Sequence, residues 1–240
     1  MKPKVARKIN SLNHQFYQTF AKDFSDTRGR LQPGVLRVVE RLEPGLSILD
    51  LGCGNGELAR QLDKNNFSGS YLGTDFSSEL LQRAAQKISK DKSINFIKLD
   101  LTNLDWEKIL PPEKFDLIFC FAALHHIPGQ ALRLSVCKNI HHYLRDSGKV
   151  TFSNWQFLKS ERLKKRILPW DSAGLTPDDV DDGDYLLDWR RGGLGTRYVH
   201  HFTPAELDQL AEESGFRIIN SFDSDGKEGN LSLYQVWESL

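Results

Sequence analysis

Two rhythms of apolar and polar residues alternate along positions 46–155. Short β-rich runs, LSILDL (46–51), SYLGTD (70–75), INFIKLD (94–100), FDLIFCF (115–121) and KVTFSNW (149–155), are separated by helical patterns, GELARQLDKN, SSELLQRAAQKISK and ALRLSVCKNIHHYL. This alternation predicts right-handed crossovers and a parallel sheet with helices on both faces. Downstream, TPAELDQLAEESGF (203–216) predicts a helix with Thr203 as N-cap, Glu206 at the capping-box position and Gly215 as its stop. FRIINSFD and LSLYQVWE flank the turn-rich SDGKEGN and predict a terminal antiparallel hairpin.

The segments outside this pattern carry the less regular chemistry. Residues 156–202 are rich in Asp, Gly and Arg and too long for a plain connection, so they are expected to form a substrate-side insertion. Near the start, Phe16, Tyr17, Phe20 and Phe24 recur at three- and four-residue spacing and predict a helix with one aromatic face, a lid that ends in Arg28. The expected organisation is one domain over 1–240, with a helical lid at 1–45, a cofactor-binding core at 46–155, the insertion at 156–202 and a final helix and hairpin at 203–240.

Composition narrows the partners. The 32 Lys and Arg balance the 32 Asp and Glu, so no global field drives the chain onto nucleic acid or anionic lipid. No apolar run approaches the roughly 18 residues of a spanning helix, and no signal-peptide core follows the basic start, so no membrane partner is expected. Three cysteines, Cys53, Cys120 and Cys137, lack paired spacing and suggest a reduced cytoplasmic setting without disulfides or a metal site. DDVDDGD (178–184) fails the calcium-loop pattern at Val180 and is expected to be a solvated loop. KSERLKKR (159–166) could meet phosphates or be one solvated helix face.

The glycine cluster in LDLGCGNGELAR suggests a ligand. Gly52, Gly54 and Gly56 follow the first predicted strand, where glycine permits tight turns and close approach of backbone N–H groups. A dinucleotide fingerprint would put its third glycine at position 57, which is Glu57, and a carboxylate there disfavours a diphosphate. Asp75 closes the second strand, where a carboxylate can accept from both hydroxyls of a ribose, and Asp100 ends the third, where it could meet an adenine edge beside the Leu101 backbone. Together with Asp50 these acids suit a nucleoside bearing a cation, as in S-adenosylmethionine.

On these residues the chain resembles the class I S-adenosylmethionine-dependent methyltransferases: ILDLGCGNG, GTDFSSELL, FIKLDL and FDLIFCFAALHHI look like their four motifs in order. The resemblance implies a Rossmann-like seven-stranded methyltransferase sheet of α/β class, mostly parallel with a C-terminal antiparallel hairpin and helices on both faces. It implies S-adenosylmethionine as cofactor, held by Tyr17, Asp50, Gly52, Cys53, Gly54, Asn55, Gly56, Asp75, Phe76, Asp100, Leu101 and Phe121.

The flanks narrow the resemblance. FYQTFAKDFSDTRGRLQPGV, ALHHIPG and RYVHHFTPAELDQLAEESGF look like the tRNA methyltransferases that esterify 5-carboxymethyluridine at the wobble position. TFSNWQF and the terminal hairpin depart from that family's pattern. This resemblance implies tRNA as the methyl acceptor and leaves room for a small activator subunit. Arg28, His126 and Arg197 become candidates for orienting the acceptor, and Tyr198 and His200 for binding it. A carboxylate is ionised at neutral pH and needs no general base. Two other possibilities stay open: a methyltransferase for a small acid, phenol or quinone-like metabolite, and a silent cofactor-binding fold acting as a partner subunit.

Overall fold

The computed structural model describes residues 1–27, 29–40, 42–89 and 93–240; Arg28, expected to orient the acceptor, lies outside the described residues. The chain starts with three helices, α1 (Pro3–Thr19), α2 (Ala21–Asp26) and α3 (Pro33–Val39). The alternating core follows: β1 (Ser47–Leu51), α4 (Glu57–Lys64), β2 (Ser70–Asp75), α5 (Ser78–Ala85), β3 (Ile94–Lys98), β4 (Phe115–Phe121), α6 (Gln130–Tyr143) and β5 (Leu144–Trp155). Next come α7 (Glu161–Lys164), β6 (Ile167–Leu168), β7 (Asp184–Trp189) and β8 (Gly195–His200). The chain closes with α8 (Pro204–Glu213), β9 (Phe216–Ser224) and β10 (Ser232–Ser239).

Seven strands form one sheet in the order β3-β2-β1-β4-β5-β10-β9. β1 to β5 pair in parallel, whereas β10 is antiparallel to both neighbours, so the last strand fills the gap between β5 and β9. The apolar core lies on both faces. One face buries Leu49, Leu51, Ile118, Val150 and Phe152 against Val136, Cys137 and Ile140 of α6 and Leu207 and Leu210 of α8. The other buries Ile48, Tyr71 and Phe119 against Leu58, Ala59 and Leu62 of α4. Among the described residues no helix is long and apolar enough to cross a membrane.

Two expectations change in detail. Thr203 caps α8 by accepting from the Glu206 N–H at 3.2 Å, but the Glu206 carboxylate turns to His200 and Arg133, which offer charged donors instead of one backbone amide. The insertion expected to be irregular contains a second sheet, β6-β7-β8, antiparallel throughout. β7 lacks the apolar–polar alternation that marks a strand because both of its faces are largely buried.

The acids expected to be solvated are also partly inside. Asp184 is buried and accepts from the Tyr198 hydroxyl (2.6 Å) and faces His200 Nδ1 (2.7 Å). Burial pushes the His200 pKa down, but Asp184 and Glu206 at its two nitrogens outweigh this and raise it. Arg133 of α6 reaches the same Glu206 at 3.3 Å, so the insertion is tied to α6 and α8 through one buried charge network.

Candidate active site

A cavity of about 360 Å³ opens where β1, β2, β3 and β4 end, between α1, the loop before α3 and the start of β10. This is the crevice outside the carboxyl ends of the strands, at the point where strand order reverses from β1 to β4. Of the residues expected at the cofactor, Tyr17, Asp50, Gly52, Cys53, Gly54, Asn55, Asp75, Phe76, Asp100, Leu101 and Phe121 line it. Gly56 does not. Its φ is +75°, and a Cβ there would come within 2.5 Å of the Ala84 Cβ, so this glycine serves packing of the loop on α5. Gly54 is the open one: φ is +56° and a Cβ would meet no atom within 4 Å.

The carboxylates are held by named donors. Asp75 accepts from the Gly54 N–H (3.0 Å) and the Ser77 N–H (2.9 Å), which fixes the glycine loop to the end of β2. Asp50 is buried and accepts from the Tyr71 hydroxyl at 2.6 Å. Asp100 accepts from the Thr102 N–H and hydroxyl and lies 3.1 Å from His14 Nε2. His14 also stacks on Phe76, with ring centroids 4.5 Å apart. Glu57, expected to disfavour a diphosphate, lines the cavity, and its carboxylate also pairs with Arg60 (2.7 Å) and Lys87 (2.6 Å), a tie between α4 and the residues after α5.

Burial pushes the Asp50 carboxyl up to about 7, opposed by the Tyr71 hydrogen bond and aided by Asp75. Burial likewise raises Asp75 to about 6, against the backbone donors that hold it down. Both folded-state values exceed the usual 3.8, so the fold favours the protonated forms. The stability they contribute is present below pH 3.8 and lost as pH rises through about 6 to 7. A cationic ligand reverses the preference by favouring the ionised acids. Affinity for S-adenosylmethionine should therefore rise between pH 5 and 8, by up to about tenfold per pH unit for each proton displaced. Calorimetry in buffers of different ionisation enthalpy should detect proton release near pH 6. A flat affinity profile would remove these acids from the cation's surroundings.

Arg197 of β8 also lines the cavity. Its guanidinium carbon sits 4.7 Å from the ring centre of Trp155, 5.6 Å from Trp189 and 5.8 Å from Phe16. His126 presents Nδ1 to the Tyr198 carbonyl (2.9 Å) and Nε2 to the Tyr17 hydroxyl (2.9 Å). A carbonyl only accepts, so Nδ1 carries the proton, and in the neutral ring Nε2 accepts from Tyr17. His125 is buried, which holds its pKa well below the usual value, and its Nδ1 accepts from the Trp155 N–H at 3.3 Å.

Tyr198 and His200, expected to bind the acceptor, do not line the cavity. Both are buried in the Asp184–Glu206 network, because side chains alternate along β8 and the neighbour of Arg197 faces the other way. Lys159 and Lys164 of the basic run pair with Asp223 and Glu161 at 2.7 and 2.6 Å. Cys120 is fully buried and its thiol is pushed up to about 12 by that burial, which suits a small core residue and not a nucleophile.

Sequence patterns missed Asn13. It is buried, accepts from the Tyr198 N–H (2.7 Å) and donates to the carbonyls of Tyr198 (3.3 Å) and His126 (3.1 Å). One amide thus clasps α1 to β8 and to the turn after β4. Its only signal was a polar residue one turn before Phe16 on the aromatic face.

Residues 24–221 match the methyltransferase domain family. The chain belongs to that family. A tRNA (carboxymethyluridine(34)-5-O)-methyltransferase of Schizosaccharomyces pombe is 25% identical over 232 residues, 90% of this chain and 93% of that protein. A ubiquinone biosynthesis O-methyltransferase of Coxiella burnetii is 24% identical over 213 residues, covering 85% and 81%. In fold, the methyltransferase superposes on a crystal structure of a SAM-dependent methyltransferase from Methanosarcina mazei with a TM-score of 0.66 and 21% identity, over 88% of this chain and 99% of that one. S-adenosylmethionine is the methyl donor, and the site fits it: open space against the Gly54 Cα, a fixed carboxylate at Asp75, and the apolar walls of Phe76, Leu101 and Phe121.

Proposed function

We propose that this methyltransferase esterifies a carboxylate, with 5-carboxymethyluridine at the tRNA wobble position as the acceptor. The observation that carries this is the state of the two histidines on the acceptor side. The ring nitrogens that could take a proton already accept, His126 Nε2 from Tyr17 and His125 Nδ1 from Trp155. Neither is arranged as a general base, and an ionised carboxylate needs none. Arg197 supplies a cation on the same wall, and the name of the Schizosaccharomyces pombe relative points to the same acceptor.

When bound, S-adenosylmethionine supplies a methyl carbon activated by its sulfonium. The chain then has to bind, orient and exclude water. Arg197 orients the acceptor carboxylate, the rings of Trp155 and Phe16 hold Arg197, and α1 closes the cavity through Tyr17 and Asn13. The metabolite alternative keeps the support of the Coxiella burnetii relative, which matches a comparable share of the chain.

A methyl-transfer assay with carboxymethyluridine-containing tRNA beside a panel of phenols and small acids separates them. Under the carboxylate assignment the tRNA is the best substrate. His126→Ala then costs less than Arg197→Ala, because the acceptor has no proton to surrender. A phenol as best substrate, with activity abolished by His126→Ala and indifferent to Arg197→Ala, would assign the enzyme to metabolite chemistry.

A further inference from the structure

The half of the cavity beside β5 and β10 holds a polar cluster that none of the motifs contains. Ser153 lies near the end of β5, Tyr234 near the start of β10 directly opposite it, and Asp225 just beyond β9. All three line the cavity, and Asp225 is 5% exposed. Sheet order puts them on the side of β4 away from the loops after β1, β2 and β3, which carry the cofactor residues.

The hydrogen bonds within the cluster run one way. The Ala122 N–H donates to Ser153 Oγ (2.9 Å), Ser153 bonds the Tyr234 hydroxyl, and that hydroxyl donates to Asp225 Oδ2 (2.7 Å). The Gly34 N–H donates to Asp225 Oδ1 (2.9 Å). Every proton points toward the carboxylate. A carboxylate only accepts and has about four lone-pair sites, so Asp225 keeps capacity for a ligand that donates. Two non-glycine residues with positive φ, Ala122 (52°) and Asp225 (69°), stand on this wall, and Tyr234 packs so closely on α3 that a Cβ at Gly34 would lie 2.2 Å from its ring. Such conformations persist where surrounding structure enforces them.

Ser153 and Trp155 are two positions apart on β5, so both face the cavity about 7 Å from each other. Trp155 carries Arg197 over its ring, while Ser153 bonds Tyr234 beside Phe121. Arg197 and the Ser153–Tyr234–Asp225 cluster thus approach the cavity beside Trp155 and Ser153, neighbouring positions on one face of the same strand.

We propose that Asp225, Tyr234 and Ser153 form an acceptor-binding subsite for the N–H edge of a planar heterocycle whose carboxylate arm reaches Arg197. The proposal rests on the carboxylate assignment made above and adds to it the residues that read the ring: the imide N–H of the pyrimidine meets Asp225, with Phe121 and Trp155 against its faces. The subsite discriminates by donor. A ring methylated at that nitrogen leaves Asp225 facing a methyl group.

The test compares 5-carboxymethyluridine with its N3-methyl analogue, and uridine with N3-methyluridine. Binding to the S-adenosylhomocysteine complex is read by tryptophan fluorescence and methyl transfer by product formation, for the wild type, Asp225→Asn and Tyr234→Phe. The wild type should prefer the N–H form by about ten- to a hundredfold, the worth of one charge-assisted hydrogen bond. Asp225→Asn should lose most of that preference by raising KM, with kcat and S-adenosylhomocysteine affinity little changed. Tyr234→Phe removes one oxygen and serves if Asp225→Asn melts early. Equal binding of both forms by the wild type, or an unchanged preference in both variants, would overturn the subsite. If neither carboxylate compound is bound nor methylated, the carboxylate assignment falls, and the uridine pair then decides the subsite by itself.

Discussion

Asp75→Ala should lower affinity for S-adenosylmethionine and S-adenosylhomocysteine by about a hundredfold or more, the worth of two charge-assisted hydrogen bonds at roughly 1.5–3 kcal/mol each. The carboxylate has two tasks here. It faces the cavity at the end of β2, and it receives the Gly54 and Ser77 amides that shape the loop and the start of α5. Ala removes both, so Asp75→Asn serves as the milder companion, keeping one acceptor oxygen for the loop. Asn relieves the buried charge but turns an amide NH2 toward one of those backbone N–H groups, so what is expected is a melting temperature that gains on the wild type's as pH rises from about 5 to 8 without ligand. Calorimetry with S-adenosylhomocysteine and thermal melts check both statements. An affinity within experimental error of the wild type would remove Asp75 from the cofactor site.

Arg197→Ala should reduce kcat/KM for the tRNA acceptor by about ten- to a hundredfold, the loss of a charge-assisted bond of roughly 1.5–3 kcal/mol. Cofactor affinity should change little, because the residue stands on the insertion sheet and not on the glycine loop. Lys should restore only part of the activity. An ammonium can carry the charge, but it lacks the planar fork that meets a carboxylate with two bonds and stacks on Trp155. Steady-state assays at saturating S-adenosylmethionine distinguish these outcomes. A Lys variant with full activity would show that only charge is needed, and an Ala variant with full activity would separate Arg197 from the acceptor.

The sheet and the cofactor loops were legible because each followed from local pattern. Alternating strands and helices fixed β1 to β5, and the glycines and strand-end acids located the cavity within a few residues. The insertion was less legible. β7 and β8 are buried on both faces, so the alternation that marks a half-exposed strand is missing. Along β8 the sequence offered Arg197, Tyr198 and His200 as equals, and only the pleat separates the one that faces the cavity from the two that serve the buried charge network. Asn13 was hidden for another reason: its partner Tyr198 stands 185 positions away, a pairing no local window contains, and one of the two partners of Asp225, Gly34, is as remote at 191.

The position of β10 between β5 and β9 bears on how the enzyme comes into being. Among the described residues β10 follows every other strand in sequence, yet it is interior to the sheet, and it carries Tyr234. Until it emerges, β5 has an open edge and β9 has no neighbour to pair with, an arrangement prone to wrong pairing with other chains. The wall that Tyr234 shares with Ser153 is therefore completed only once β10 has been made, after the glycine loop and its acids. A nascent chain can acquire the means to hold its methyl donor before it acquires a finished place to spend it.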